Sequence, residues 1–346
     1  MVNAISKELT IRSSELNQEI DTIYLGGGTP SLLTANELNI LKKVIDENYK
    51  LKRSLEFTIE INPEDVSMEK VKQWKSVGIN RYSLGVQSFH DGELVWMNRK
   101  HSAEDALRAI SMLKEYGSSN ISIDLIYGVP GSSLKSWEVN VKKALSLNIP
   151  HISAYMLTIE PATSLFKKLE QNKVIELEED IIISQFDYMI REFEGNGYEH
   201  YEISSFCLNG QRSKHNTSYW MGEDYVGVGP SAHSYSSQDI FIRRWNVANN
   251  NKYIKAIDVG ENYCAKEELK LKDRYNEYIM TSLRTWRGIN LLELENYFGS
   301  DLLYYFKSEV LKQVDAKCIY KKKDNYHLTN KGKFIADHVI SDLFML

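Results

Sequence analysis

Short apolar runs rich in β-branched residues alternate along residues 1–200 with longer stretches whose apolar positions recur at helical spacing. Residues 20–25 (IDTIYL) predict a strand, broken by Gly26-Gly27-Gly28-Thr29-Pro30. Thr34 with Glu37 three residues on has the capping-box spacing of a helix start, and Leu38, Leu41 and Val44 carry that helix forward. A strand at 57–61 stops at Asn62-Pro63, and a helix from Met68 closes at Gly78. The same alternation predicts a strand at 81–86 and a helix at 102–116, with Ser102 and Asp105 in capping positions. It continues with a strand at 121–127, a helix at 134–147, a strand at 151–159 and a helix at 179–194.

Strand–helix units in succession imply parallel strands joined by crossover helices. Two architectures satisfy the pattern, an open doubly wound sheet and a closed or partial barrel. Both place their sites at the carboxyl ends of the strands. Polar residues stand at those ends: Gly26 to Thr29, Glu60, Gln87, Asp124 and Glu160. A strand buried on both faces has no structural use for Glu60 or Asp124 unless something pairs with them.

Beyond residue 200 the pattern changes. Residues 198–250 are rich in Tyr, Gly, Ser and Asn with short β-like runs, and the chain reads as helical from Lys266 onward. Helices are expected at 275–286, 291–297 and 302–314, then a hairpin at 318–320 and 326–328, then a last helix at 330–343. Helices followed by a short hairpin suggest a small winged-helix-like module. The expected division is 1–200 for a barrel-like domain, 201–264 for a connecting segment and 265–346 for the mostly helical carboxyl-terminal domain.

Composition narrows the function classes. At 42% hydrophobic and 26% charged the 346-residue chain has the balance of a globular protein. Lys+Arg 42 against Asp+Glu 47 leaves −5, so no polycationic surface favours duplex nucleic acid. The wing carries Lys321-Lys322-Lys323 and little else, which favours packing or partner docking over DNA binding. No apolar run reaches the ~18 residues of a membrane span, and the start lacks the apolar stretch of a signal peptide, so a cytoplasmic protein is expected. Cys207, Cys264 and Cys318 contain no CxxC pair, which supports neither a disulfide framework nor a zinc site.

Taken singly, the residues of interest are weak signals. The glycine turn matches neither the dinucleotide fingerprint nor a Walker loop, and a turn is its simplest role. An acid at a strand end is often a helix cap, and Arg99 in MNRKH has the setting of a solvated loop charge. Together, Glu60, Gln87, Arg99 and Asp124 on successive units form a polar ring. Its carboxylates suit ribose hydroxyls or an ammonium, and its guanidinium suits a carboxylate, so the ligand class is zwitterionic and sugar-bearing. A second group, Lys214 to Trp220 (KHNTSYW) with Tyr225 and His233 downstream, offers a histidine flanked by aromatic walls. That suits a flat macrocycle, or equally a structural turn.

LGGGTPS, TIEINPE, YSLGVQSF, MNRKH, IDLIYGVPG and ISAYMLTIEP stand in the order of the radical SAM family of oxygen-independent coproporphyrinogen III oxidases, which the chain resembles from about residue 20 to its end. EISSFCLNGQRSKHNTSYW and VGVGPSAHS resemble the haem-chaperone branch of that family, the HemW type. The resemblance implies an α/β fold with a partial (βα)6 barrel that holds S-adenosylmethionine beside a [4Fe-4S] cluster. Gly27, Gly28 and Thr29 would hold the methionine moiety, with Glu60, Gln87, Arg99, Asp124 and Ala154 lining the rest. His215, in the HNxxYW pattern, would be the haem-associated histidine and a possible ligand to the haem iron. Haem or a porphyrin would be the bound partner, and an apo-haemoprotein the acceptor.

The family's CxxxCxxC cluster motif would stand before the glycine turn, and no such motif lies there in this sequence. The expectation is therefore a barrel without its first strand, no cluster on this chain and no reductive cleavage. No catalytic residue is assigned. Two functions stay open: a haem chaperone, or a coproporphyrinogen III oxidase that decarboxylates propionates to vinyl groups in haem biosynthesis.

Overall fold

The computed structural model describes residues 1–161, 163–238 and 240–345, and its contacts divide the chain into two compact units. One comprises Tyr24–Leu32 and Phe57–Ser213, and the other Met1–Ile23, Leu33–Glu56 and Lys214–Leu346. The boundary cuts through the first two strands, β1 (Ile20–Leu25) and β2 (Leu51–Ile61).

The strand–helix alternation builds a curled seven-stranded half-barrel sheet, ordered β1-β2-β3-β4-β5-β7-β6. Its other strands are β3 (Arg81–Gln87), β4 (Ile121–Tyr127), β5 (His151–Met156), β6 (Glu199–Glu202) and β7 (Ser205–Cys207). Strands β2 to β5 run parallel, and β7 and β6 close the row antiparallel. Between β2 and β3 runs α3 (Met68–Ser76), following α1 (Val2–Ile11) and α2 (Ala35–Asn48) earlier in the chain. Helices α4 (Asp91–Trp96), α5 (Ala103–Glu115), α6 (Leu134–Ser146), α7 (Ser164–Glu170) and α8 (Glu179–Gly195) make the later crossovers. Both expected capping boxes form, Thr34 with Glu37 and Ser102 with Asp105.

Register divides the sheet into two chemistries. Ile59, Leu84, Ile123, Leu125 and Ile152 share one face and are fully buried. Thr58, Glu60, Arg81, Ser83, Ser122, Asp124, His151, Ser153 and Tyr155 share the other. Full burial of an apolar face this size is the main stabilising term of the unit.

In the other unit Leu9 of α1 packs with Leu41 and Ile45 of α2. Ala4 packs with Tyr253 and Ile257 of α10 (Asn250–Val259), which follows α9 (Lys214–Trp220). The buried face of α1 also carries Glu8 and Arg12, an ion pair with almost no exposure. Arg12 donates to Gly227 O at 2.7 Å and Ser234 Oγ at 2.9 Å. Glu8 accepts from Gly229 N at 2.8 Å, Asn246 Nδ2 at 2.8 Å and the Tyr253 hydroxyl at 2.5 Å. Charges removed from water persist only with partners of this number and geometry.

The same unit holds an antiparallel sheet of β8 (His233–Ser236), β9 (Ile242–Asn246) and β10 (Cys264–Glu268). Its carboxyl-terminal part combines α11 (Leu271–Leu283), α12 (Leu291–Asp315), α13 (Asn330–Phe334) and α14 (Ala336–Ser341) with a sheet ordered β11 (Ile289–Asn290), β13 (Asn325–Leu328), β12 (Ile319–Lys322). The expected wing hairpin is therefore present, and helices dominate around it.

Several sequence expectations need correction. β5 ends at Met156 rather than running to 159, and CAKEE is the edge strand β10 where a helix was expected. The two helices expected at 291–297 and 302–314 are continuous apart from a kink at Gly299, whose φ of 83° leaves the helical region. The last helix breaks at Ile335. Residues 2–11, for which the pattern predicts no element, form α1.

Candidate functional site

The polar face of the sheet gathers its functional groups at the carboxyl ends of β1 to β5. The Tyr24 hydroxyl donates to Glu60 Oε1 at 2.8 Å, and Gly27 N–H donates to Oε2 at 3.2 Å. Glu60 therefore ties the glycine turn to β2 and holds both of its oxygens in fixed directions. One strand pair further on, Ser83 Oγ donates to Asp124 Oδ2 at 3.2 Å, and Ser153 bonds the same carboxylate. Burial pushes the Asp124 carboxyl up to about 6, against the lowering effect of those hydroxyls, and the neighbouring Glu60 charge adds to the rise. Burial and the Glu60 carboxylate also raise the Tyr24 phenol, so it stays a donor.

Glycine is required at one close approach here. A Cβ on Gly26 would fall 2.5 Å from Tyr24 Cε1 and 2.9 Å from Glu60 Oε1. Gly27 and Gly28 are the opposite case, because the space a Cβ would enter is empty at both and Gly27 has φ 73°. Thr29 is exposed beside them. The turn therefore presents open backbone on one side and a clamped carboxylate on the other.

Gln87 sits in the left-handed region at φ 67°, where β3 slips register against β4. A non-glycine residue held there carries strain, which concentrates at ligand sites. The slip turns its amide back over Gly85, where an added Cβ would lie 2.8 Å from Gln87 Nε2. Arg99 is exposed after α4 and makes no side-chain hydrogen bond or ion pair recorded among the described residues. Ala154 places its side chain off the polar face. It pairs with Leu125 on the apolar face, is 2% exposed, and its N–H donates to Ser204 O. The structure thus gathers Gly27, Gly28, Glu60, Gln87 and Asp124. It adds Tyr24, Ser83 and Ser153, which sequence reasoning passed over; their alternation with apolar neighbours was the available signal.

This donor set fits S-adenosylmethionine. Two carboxylates suit a ribose diol and an ammonium, open glycine backbone suits a close approach, and on the same face Thr58 Oγ1 is a buried hydroxyl without a hydrogen-bond partner among the described residues. The cysteines offer no comparable set for an iron–sulfur cluster. Cys207 and Cys318 are buried on separate strands or turns, burial pushes the Cys207 thiol up to about 11, and no group of three metal-ligating side chains occurs among the described residues.

His215 lies not in a loop but on α9, in the other unit. Glu56 of β2 accepts from the backbone N–H of Lys214 at 3.2 Å and of His215 at 3.0 Å, capping the helix start from a distant strand. His215 Nδ1 lies 2.8 Å from Thr22 Oγ1 and Nε2 lies 2.8 Å from the Tyr219 hydroxyl. Burial lowers the imidazole to about 4, so it is neutral at pH 7. Tyr219 meets His215 edge-on at 4.8 Å and Tyr225 at 4.6 Å, and Tyr225 stacks on Tyr235 at 6.4 Å. The result is a row of rings in which the Tyr219 side chain is 38% exposed, while burial pushes its phenol up to about 12.

Residues 5–144 match the Radical SAM superfamily, and residues 269–335 match the HemN C-terminal domain. The chain is 33% identical to the heme chaperone HemW of Lactococcus lactis over 95% of its own length and 86% of the relative's. It is 32% identical to the Bacillus subtilis heme chaperone HemW, covering 98% and 89% respectively. The solved Escherichia coli coproporphyrinogen III oxidase HemN, a radical SAM enzyme, superposes with a TM-score of 0.84 at 19% identity, over 99% of this chain and 82% of that one. At that identity the structure speaks for the fold alone, while the sequence relatives span half-barrel, histidine helix and carboxyl-terminal helices, so the chain belongs to the HemW heme chaperone family built on a radical SAM scaffold.

Proposed function

We propose that this protein is a cytoplasmic haem carrier, which binds haem at the aromatic row around His215 and passes it to an apo-haemoprotein. The observation that carries this reading is the row itself: a neutral imidazole and three tyrosine rings in succession, with the Tyr219 side chain partly exposed. Such a surface suits the flat apolar face of a macrocycle, and imidazole and phenol are both ligands haem iron accepts.

S-adenosylmethionine fits the ring on the polar sheet face. Glu60 and Asp124 would take its hydroxyls and ammonium, Arg99 its carboxylate, and Gly27, Gly28 and Thr29 its methionine end. The ligand would supply a sulfonium centre there. The chain's own residues orient it: Tyr24 and Gly27 fix the Glu60 oxygens, and Ser83 and Ser153 fix those of Asp124.

The test is a hemin titration of the whole chain followed by absorbance, beside His215→Ala. A saturable Soret shift that weakens in the variant supports the haem reading. No specific shift in the unaltered protein removes haem from this site. Calorimetry with S-adenosylmethionine tests the second ligand separately, and wild-type affinity in both Asp124→Ala and Glu60→Ala would sink the ring assignment.

A further inference from the structure

Both ring nitrogens of His215 are already engaged, one by Thr22 and one by Tyr219, each at 2.8 Å. Iron could reach either nitrogen only by breaking one of those bonds. The Tyr219 oxygen differs in every respect that matters for access. It has one hydrogen to donate and two lone pairs, so its bond to His215 leaves lone-pair density unengaged. Its side chain is the exposed member of the pair, while His215 is half-buried beneath it. The ring is held edge-on between His215 and Tyr225, which fixes the direction in which its oxygen points.

Resting on the haem reading above, we propose that the iron ligand at this site is the Tyr219 oxygen, and that His215 acts as a positioning residue behind it. Ferric iron is a hard Lewis acid and favours an anionic oxygen donor. As the Fe–O bond forms, the phenol O–H bond breaks and one proton leaves, in net, to water. His215 stays neutral in the tautomer whose Nε2–H donates to the phenolate oxygen, while Nδ1 accepts from Thr22 Oγ1, so both ring nitrogens keep their partners. Thr22 belongs to the same arrangement, because its hydroxyl sets which nitrogen of His215 faces Tyr219.

The ligand choice also sets what releases the cargo. An anionic oxygen holds ferric haem better than ferrous haem, whereas a neutral imidazole holds both. Reduction of the iron by an external one-electron donor, with a proton returning from water to the phenolate oxygen, therefore loosens haem at a tyrosinate site.

The experiment is a titration of the full chain with ferric hemin, comparing the unaltered protein with Tyr219→Phe and His215→Ala. Absorbance and resonance Raman spectra are recorded, and circular dichroism checks each variant's fold. The unaltered complex is expected to show a phenolate-to-iron charge-transfer band and phenolate–iron vibrations. Tyr219→Phe should lose both and bind about tenfold or more weakly, roughly one lost ligand bond. His215→Ala should keep the charge-transfer signature at reduced affinity, and dithionite should lower the affinity of the unaltered protein. Hemin bound with no such signature, unchanged in Tyr219→Phe and lost in His215→Ala, overturns the tyrosine ligand and leaves the haem reading standing. No saturable hemin binding by the unaltered protein overturns both.

Discussion

Asp124 gives a sharp test of whether the polar sheet face exists for a ligand or for the fold. Its carboxyl is raised from the ordinary 3.8 to about 6, because burial penalises the charged form more than Ser83 and Ser153 support it. A carboxyl with a raised folded-state value contributes most below its unfolded value, where both states are protonated. As pH climbs from about 4 to about 6 the unfolded chain loses its proton first, and native stability falls until both states are ionised. That rise corresponds to at most about 3 kcal/mol of stability lost at pH 7. Asp124→Asn removes the charge and keeps an oxygen that can accept from both serines. The variant should therefore be more stable at pH 7 by up to about 3 kcal/mol, and close to the unaltered protein near pH 4. Urea midpoints at pH 4.5 and pH 7 measure the difference, and calorimetry measures S-adenosylmethionine binding, which should weaken. A stability gain with a binding loss identifies a carboxylate held against the fold's interest for the sake of a ligand. A variant less stable than the parent at pH 7 would refute the reasoning, because it would make Asp124 a structural acceptor.

Gly26→Ala places a methyl against Tyr24 and Glu60 and should break their hydrogen bond, weakening S-adenosylmethionine binding by about tenfold, a shift calorimetry would resolve. Glu56→Ala leaves the first N–H groups of α9 uncapped, which should lower stability by about 0.5–2 kcal/mol and weaken hemin binding in the same sample; a thermal melt and Soret titration unchanged from the parent would count against the cap. Gly332→Ala drives a methyl into the backbone carbonyl of Cys318 and should lower the urea midpoint by the equivalent of roughly 1–3 kcal/mol, with an unaltered midpoint contradicting that close approach.

Local signals carried the half-barrel. The capping boxes at Thr34 and Ser102, the apolar runs of β1 to β5 and the glycine turn each depend on neighbours within a few residues, so they are readable in order along the chain. What escaped was decided at long range. KHNTSYW is poor helix material by propensity, and α9 forms where Glu56, far back in the sequence, caps its start. CAKEE lacks the alternation of a half-buried strand, and pairing with β9 makes it one. Glu60 and Asp124 were legible because a carboxylate at the end of a buried strand is costly. Tyr24, Ser83 and Ser153 were not, because hydroxyls in a strand look ordinary until the register sets them beside those carboxylates. The face that the Ala154 side chain occupies is likewise set only by the register.

The buried partners of α1 have a consequence for synthesis. Arg12 leaves the ribosome long before its partners, since its bond to the Gly227 carbonyl spans 215 positions, and the Glu8 bonds to Asn246 and Tyr253 span 238 and 245. At roughly 5–20 residues per second that separation is a wait of about 10–50 s, during which α1 carries a charged pair with nowhere to bury it. The segment Phe57–Ser213 is contiguous and is fully translated earlier, so the half-barrel is able to fold while the first helix is still waiting. A helix made before the half-barrel is therefore completed after it. Its Glu8–Arg12 pair is fixed in place only when Gly227 to Tyr253 arrive.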